Sequence, residues 1–286
     1  MKAINADEFA AVAKQFHVMC GLVLPEGKQY LVTQRLGPLL EGSGITSWQE
    51  YVALLAKDPH SSLAVGSIHA ITTHETSWFR DANVFEGIEE TVLPELAERI
   101  RERRERSSAR RGAQITIWCA AVSTGQEAYS LAMLIDRFVQ NNPDLLLEQF
   151  LILGTDISAP VLAQGMQGVY DDFEVGRGLR ADLRDEYFEA VSGNRWRVRD
   201  RIRAIIQFQV ASLIDPFAHV GGFDLVLCRN VLIYFDAETR ARIVQLCGAK
   251  LSPGGIFMLG ASECLMPVPD PFTVQRTPKA AFYRRA

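Results

Sequence analysis

The amino-acid sequence predicts an α/β fold with a parallel sheet, preceded by a small all-helical domain. From Ile115 onward strand-like and helix-like runs alternate, which is typical of parallel strands joined by crossover helices. Residues 1–72 carry apolar side chains at helical spacing and show no strand pattern. Residues 168–206 interrupt the later alternation with eight arginines, which indicates a small inserted β-subdomain. We therefore predict domains at 1–72 and 113–286, joined by a connecting region at 73–112.

The helical domain is predicted from three apolar runs, Phe9–Phe16, Tyr30–Leu40 and Trp48–Leu55. Side chains with acceptor oxygens precede the first and third runs, and such side chains cap helices by accepting backbone N–H bonds. We expect Asp7 to cap the first helix, and Thr46 or Ser47 to cap the third.

The connecting region contains a charged helix, predicted at Pro94–Arg106. Glu95 lies four residues before Arg99, and a second pair in the same order starts at Glu102; this order favours ion pairs along a helix. The interleaved glutamates favour a solvent-facing helix over a nucleic-acid surface. We interpret Ser107–Gly112 as the linker that follows.

Five apolar runs of the larger domain are predicted to be strands: Ile115–Ala120, Phe150–Thr155, Gln207–Val210, Phe223–Cys228 and Ile256–Gly260. Three runs between them are predicted to be helices: Glu127–Gln140, Ala159–Gln167 and Ala237–Leu251. Pro253–Gly255 form a turn before the last strand. We expect Ala281–Tyr283 to form a closing edge strand. Trp196–Arg199 alternate apolar and basic residues, as a half-buried strand of the insert would.

Composition excludes several classes of protein. The formal net charge of −4 argues against a general nucleic-acid binder. No apolar run approaches the roughly 20 residues that span a bilayer. The chain starts without the apolar core of a signal peptide, so we expect a cytoplasmic protein that does not insert into membranes. The five cysteines are widely spaced and the histidines lack metal-ligand spacing, which predicts reduced, mostly buried thiols and no metal site.

The loop after the first strand indicates a cofactor site. Small residues fill Ala120–Gly125 and a helix follows, an arrangement that forms nucleotide-type sites in α/β sheets. One glycine, rather than the three of a dinucleotide fingerprint, favours a cofactor without phosphates, with S-adenosylmethionine the leading candidate. We expect Gly125 to let the backbone approach the ligand closely. Glu127 either complements the helix dipole or binds the amino group of an amino-acid-like ligand.

Polar side chains follow two further strands. Asp156 ends the second strand, where it either accepts hydrogen bonds from ribose hydroxyls or caps the next helix. Arg229 and Asn230 follow the fourth strand directly, with Tyr234 nearby, and packing alone does not explain an arginine there. In the connecting region Arg80 follows two aromatic residues and lies either on the surface or across the mouth of a cleft.

Five segments together closely resemble motifs of the CheR family, the chemotaxis receptor methyltransferases. In chain order they are ITTHETSWFRD, WCAAVSTGQEAYSLAM, LILGTDIS, FDLVLCRNVLIYFD and LSPGGIFMLGASE. The resemblance covers essentially the whole chain and implies a Rossmann-like, S-adenosylmethionine-dependent methyltransferase. It also implies the substrate, glutamate side chains on the cytoplasmic domains of transmembrane chemoreceptors. The products would be glutamyl methyl esters and S-adenosylhomocysteine.

The resemblance assigns residues to parts of the site. Together with Gly125, those expected around the cofactor are Thr76, Arg80, Glu127 at the methionine end, Asp156 at the ribose, Ser212 and Leu213 at the adenine, Arg229 and Asn230. Those expected to act on the transferring methyl group are Arg80, Arg229 and Tyr234.

The expected chemistry needs no general base. A glutamate has a reference pKa near ~4.3, so it is already a nucleophile at neutral pH. The enzyme then has to supply in-line positioning in a site that excludes water. Arg80 or Arg229 would hold the incoming carboxylate through one oxygen, because a bidentate pair would reduce its nucleophilicity. Tyr234 would orient the other oxygen.

Two departures from the family pattern concern the partner. Residues 1–72 hold five basic and six acidic side chains, with only Lys28 and Arg35 on the second helix, which does not favour docking by simple charge attraction. The loop Val191–Trp196 is short, which predicts a member that does not need a receptor's carboxyl-terminal pentapeptide. The alternatives are a methyltransferase for a small molecule or RNA, a non-catalytic module that senses S-adenosylmethionine and, more remotely, a nicotinamide dehydrogenase.

Overall fold

The computed structural model describes residues 4–106, 113–215 and 221–286. The predicted linker Ser107–Gly112 lies outside these ranges. The amino-terminal domain consists of α1 (Ala6–Cys20), α2 (Gln29–Ser43), α3 (Trp48–Lys57) and α4 (Ser62–Ile71). Their apolar faces form one cluster in which Phe16, Leu36 and Tyr51 are fully buried. Ile157 and Tyr234 pack against this cluster, so the helical domain lies directly on the larger domain.

Side-chain caps begin three of these helices, and at α4 the Oγ of Ser61 accepts the N–H of Ala64 at 3.2 Å. Ser47 caps α3 as predicted, because its Oγ accepts the N–H of Glu50 at 3.2 Å. Asp7 was the wrong residue for α1. Asn5 Oδ1 accepts the N–H of Glu8 at 2.9 Å, and Glu8 Oε2 accepts the N–H of Asn5 at 3.0 Å. This reciprocal pair satisfies two backbone amides and leaves Asp7 inside the first turn, where it faces the helix dipole favourably.

The connecting region is helical over more of its length than predicted: α5 (Ala82–Gly87) continues through a π-helical turn (Ile88–Val92) into α6 (Leu93–Arg106). Glu95 and Arg99 form the predicted ion pair at 2.8 Å. The interpretation of α6 as simply solvent-facing is wrong in one respect. Arg99 and Arg103 both reach the buried carboxylate of Asp224, so this face of the helix is attached to the sheet.

The larger domain contains ten strands in its described residues: β1 (Ile115–Ala120), β2 (Phe150–Asp156), β3 (Val169–Asp171), β4 (Phe188–Val191), β5 (Arg195–Val198), β6 (Ile206–Val210), β7 (Phe223–Cys228), β8 (Leu251–Met258), β9 (Phe272–Arg276) and β10 (Ala281–Arg285). Its helices are α7 (Gln126–Gln140), α8 (Ala159–Gln167), α9 (Asp172–Gly176), α10 (Ala181–Tyr187), α11 (Asp200–Arg203) and α12 (Ala237–Lys250).

Seven of these strands form one sheet in the order β6-β2-β1-β7-β8-β10-β9. The first five are parallel, and β10 and β9 are antiparallel to their neighbours. β2 and β6 lie on one side of β1, and β7, β8, β10 and β9 lie on the other. The carboxyl end of β1 therefore lies at the switch in strand order, where open α/β sheets bind their ligands.

Two predictions at the end of the chain need correction. Ala281–Tyr283 belong to β10, which pairs on both sides and is not an edge. The edge strand is β9, which the sequence does not reveal because four of its five residues are exposed and it shows no apolar alternation. Pro253–Gly255 lie within β8 rather than in a turn before it, where the register against β7 shifts.

The insert is a β-subdomain, as predicted, with the antiparallel order β3-β5-β4. The predicted strand Trp196–Arg199 corresponds to β5. Residues 192–194 alone connect β4 to β5, so this loop is short. Most of the insert's arginines pair with carboxylates: Arg177, Arg180, Arg184, Arg197, Arg201 and Arg203. The insert is therefore not a free basic surface.

Four cysteines are buried free thiols and Cys264 is exposed, in agreement with the predicted reduced and mostly buried set. Across the described ranges, no helix is both long enough and apolar enough to cross a bilayer.

Candidate active site

A cavity of about 400 Å³ lies at the carboxyl ends of β1, β2 and β7. Three parts of the chain line it. The strand ends form the floor, the connecting segment Thr72–Arg80 forms one side, and Leu22–Pro25 of the helical domain form another. The cavity therefore combines residues of both domains. Leu22–Pro25 were not predicted as site residues. In the sequence they lie between two helical runs and indicate only that the helix is interrupted there.

The loop after β1 contributes Ala121, Val122 and Ser123 to the cavity. Ala121 and Ser123 have left-handed backbones, with φ of 57° and 53°. Gly125 does not line the cavity. Its φ is 96°, and a Cβ there would lie 3.2 Å from atoms of Gly165, Phe208 and Tyr170. Contacts within the protein thus account for a glycine at this position.

Asp156 lies at the end of β2 and is only 8% exposed. Its Oδ2 accepts the N–H of Ser123 and its Oδ1 the N–H of Ser158, both at 2.9 Å. Burial raises the pKa of the Asp156 carboxyl, and these backbone N–H groups partly oppose that rise. The cap of α8 is Ser158, so the alternative that Asp156 caps this helix is wrong. A buried carboxylate at the cavity suits ribose hydroxyls.

Arg229 lies at the end of β7 between two carboxylates. Its Nη1 donates to Glu127 Oε2 at 2.8 Å, and its Nη2 lies 3.1 Å from Asp81 Oδ2. The Arg229 side chain is 1% exposed and the Glu127 side chain 14% exposed. Burial raises the pKa of the Glu127 carboxyl, and the Arg229 guanidinium opposes this. Because two carboxylates already balance its charge, Arg229 is poorly suited to hold a substrate carboxylate.

Arg80 has a different environment. It is half-buried, lines the cavity and donates from Nη1 to the backbone oxygen of Glu75 at 3.0 Å. Within the described part of the chain, no carboxylate forms an ion pair with it. Of the two arginines predicted to hold a carboxylate, the geometry thus favours Arg80.

The segment that carries Thr76 and Arg80 lines the cavity and is held at several points. Trp78 is buried. Its Nε1 donates to the backbone oxygen of Glu174 at 2.9 Å, and its backbone N–H donates to the backbone oxygen of Arg177 at 3.0 Å, both in the insert. Ser123 Oγ donates to the backbone oxygen of His74 at 2.9 Å. The insert and the β1 loop together position this segment.

The remaining predicted residues line the same cavity: Thr76, Ser212, Leu213, Asn230 and Tyr234. Tyr234 lies in a 3₁₀ turn, Leu232–Tyr234, and its backbone oxygen accepts the N–H of Val23 at 3.0 Å. Of all the predicted site residues, Gly125 alone lies outside the cavity.

Comparison with known proteins supports this description. The family model of the CheR methyltransferase SAM binding domain matches residues 74–281, and that of the CheR methyltransferase all-alpha domain matches residues 7–65. The chain belongs to the CheR methyltransferase family. It is an S-adenosylmethionine-dependent methyltransferase, and the predicted fold class is confirmed.

Full-length relatives agree with this assignment. The chain is 40% identical over 284 residues to chemotaxis protein methyltransferase 1 of Pseudomonas aeruginosa, with 99% of each chain covered. It is 35% identical over 281 residues to the chemotaxis protein methyltransferase of Vibrio anguillarum, with 98% of each chain covered. The CheR resemblance therefore spans both domains.

The residues present fit the cofactor that the family implies. S-adenosylmethionine carries ribose hydroxyls, an amino-acid end and a cationic sulfonium that supplies the transferable methyl group. Buried Asp156 offers acceptors for hydroxyls, and the Glu127 carboxylate offers one for an amino group. Ser212 and Leu213 lie after β6, the neighbour of β2 in the sheet, and line the same cavity.

Proposed function

We propose that this CheR family member transfers the methyl group of S-adenosylmethionine to glutamate side chains on the cytoplasmic domains of chemoreceptors, giving glutamyl methyl esters. The relatives named as chemotaxis protein methyltransferases support this. The observation that carries the proposal is the charge pattern of the cavity. Glu127 is paired with Arg229, whereas Arg80 lines the cavity and forms no ion pair with a carboxylate among the described residues.

Arg80 would hold the incoming carboxylate through one oxygen, and Tyr234 would orient the other. An ionised glutamate is already a nucleophile, so this site needs no general base. The loop after β1 and the helical-domain residues Leu22–Pro25 line the cavity and would limit access of water to a bound cofactor. In-line positioning is then the main contribution of the protein.

The test is methyl transfer from radiolabelled S-adenosylmethionine to purified receptor cytoplasmic fragments. We expect label that mild alkali releases as volatile methanol, because carboxyl esters are base-labile and N-methyl groups are not. A fragment with its methylatable glutamates replaced by alanine is the control. Alkali-stable label, or label on RNA or a small molecule instead, would contradict the glutamate assignment. S-adenosylhomocysteine binding without any transfer would support the sensing module.

We also propose that this enzyme acts in the cytoplasm without a receptor pentapeptide tether. The short connection between β4 and β5, residues 192–194, supports pentapeptide independence. Fragments with and without a carboxyl-terminal pentapeptide should be methylated with equal kcat/KM. A large preference for the pentapeptide-bearing fragment would contradict this.

A further inference from the structure

Glu263 accepts three backbone N–H groups from two separate segments. Its Oε2 accepts from Asn230 at 2.6 Å and from Gly260 at 3.0 Å, and its Oε1 accepts from Leu232 at 3.2 Å. Gly260 belongs to the same turn after β8, whereas Asn230 and Leu232 belong to the loop after β7. The carboxylate therefore joins the ends of two neighbouring parallel strands.

The loop after β7 needs this support. Asn230 has φ of 56°, in the left-handed region that a non-glycine residue adopts at a cost of about 1–2 kcal/mol. Such a conformation persists where the surroundings enforce it. Arg229, directly before Asn230, is held by its two carboxylates. Glu263 accepts the N–H groups of Asn230 and Leu232 and so holds the turn that follows Arg229.

Gly260 shows how closely the two segments approach. A Cβ on Gly260 would lie 2.6 Å from Asn230 Nδ2 and 3.0 Å from Glu263 Oε2. The Asn230 side chain thus lies directly on the Gly260 backbone. Asp81 also holds the turn after β8, because its Oδ2 accepts the N–H of Ala261 at 3.1 Å.

From these contacts we infer that Glu263 is a positioning residue for methyl transfer. Glu263 does not line the cavity, whereas Asn230 and Tyr234 of the loop that it holds do line it. It acts through the backbone, by setting where Asn230 meets the cofactor and where Tyr234 meets the substrate. The alternative is that its bonds only stabilise the fold. The inference about cofactor binding stands independently of the proposed receptor substrate.

The test compares Glu263→Gln, Gly260→Ala and Ser47→Ala, the last removing the cap of α3 at a residue that does not line the cavity. Affinity for S-adenosylhomocysteine is measured by calorimetry, kcat and KM on a receptor fragment by radiolabel, and melting temperature by circular dichroism. All assays are run well below the melting temperatures.

Glu263→Gln places an amide NH₂ against a backbone N–H donor, so we expect both cofactor affinity and kcat to fall about 10- to 100-fold. Gly260→Ala keeps every charge but displaces Asn230, and should lower cofactor affinity in the same direction. Ser47→Ala should lower only the melting temperature. The inference is overturned if both site variants keep affinity and kcat within twofold of wild type while melting earlier. If the wild type methylates no receptor fragment, the proposed function fails, and the affinity measurements still decide the role of Glu263.

Discussion

The end of β7 and the segment Thr72–Arg80 each bring an arginine to the same cavity, but the two arginines differ in their partners. Arg229 is almost completely buried and is balanced by Glu127 and Asp81. Arg80 is half-buried and donates only to a backbone oxygen among the contacts described. An arginine near a reacting centre is thus not by itself a substrate ligand. Its existing partners decide whether its charge is available.

The largest effect is expected from Arg229→Leu. This change leaves Glu127 and Asp81 without their cation, and breaking a buried ion pair from one side costs about 3–5 kcal/mol. We expect the free energy of unfolding, measured with urea, to fall by that amount. The control is Arg180→Leu, which removes an exposed partner of Asp182 and should change stability little. Equal losses of unfolding free energy in the two variants would contradict the conclusion that buried Arg229 balances the charges of Glu127 and Asp81.

Arg80→Ala should lower kcat/KM for a receptor fragment by about 100-fold, because a charge-assisted contact to the substrate carboxylate is lost. S-adenosylhomocysteine affinity should change much less. Arg80→Lys should recover part of the activity, since a contact to one oxygen needs a cation and not a planar fork. Turnover near the wild-type value in Arg80→Ala would exclude Arg80 from the mechanism.

Asp156→Ala tests a third charged group of the cavity, the buried Asp156 carboxylate, which accepts hydrogen bonds from backbone N–H groups. It should weaken S-adenosylhomocysteine binding about 10- to 100-fold by calorimetry, through loss of acceptors for the ribose hydroxyls. Asp185→Ala, which removes an exposed carboxylate of the insert, is the control. Unchanged affinity in Asp156→Ala would refute the ribose assignment.

Asp156→Asn should reveal the energetic cost of that carboxylate. Because burial raises the folded-state pKa of Asp156, the wild type loses stability relative to the uncharged variant as the pH rises through that pKa. Below the unfolded pKa, about 3.9, both side chains are neutral and the difference reflects only their hydrogen bonds. The free energy of unfolding, measured with urea without cofactor, should therefore fall in the wild type relative to Asp156→Asn between pH 4 and pH 7. A rise in the wild type relative to the variant would contradict the conclusion that burial raises the pKa of Asp156.

The smallest effect on ligand binding is expected from Gly125→Ala. The left-handed backbone and the contacts at 3.2 Å should cost about 1–2 kcal/mol of stability. S-adenosylhomocysteine affinity should stay unchanged, because Gly125 lies outside the cavity. A loss of affinity without a loss of stability would restore the original expectation that Gly125 faces the ligand.

Much of the fold could be predicted because apolar periodicity reports burial. The strands β1, β2 and β7 have mostly buried residues and read directly as apolar runs. The edge strand β9 escapes the same reasoning because its side chains face water. Asp7 and Asn5 are both good capping residues, and the reciprocal bond with Glu8 decides between them.

Several side chains that line the cavity were predictable from their positions at strand ends, but Leu22–Pro25 and the ion pairs of Arg229 were not. Asp156 and Arg229 stand at strand ends, which marks them in the sequence. The partners of Arg229 are Asp81 and Glu127, which lie 148 and 102 residues away along the chain, so no local pattern connects them. A glycine needed for packing and one needed for a ligand look identical in sequence, so the packing contacts of Gly125 could not be predicted.

The hydrogen bond from Val23 to the backbone oxygen of Tyr234 has a consequence for the order of assembly. It closes one side of the cavity with a contact between residues about 200 positions apart, and such contacts form late because a long loop must close first. A nascent chain with a complete β1 loop therefore still lacks a finished cavity. The cavity is complete only once the segment between α1 and α2 has met the loop after β7.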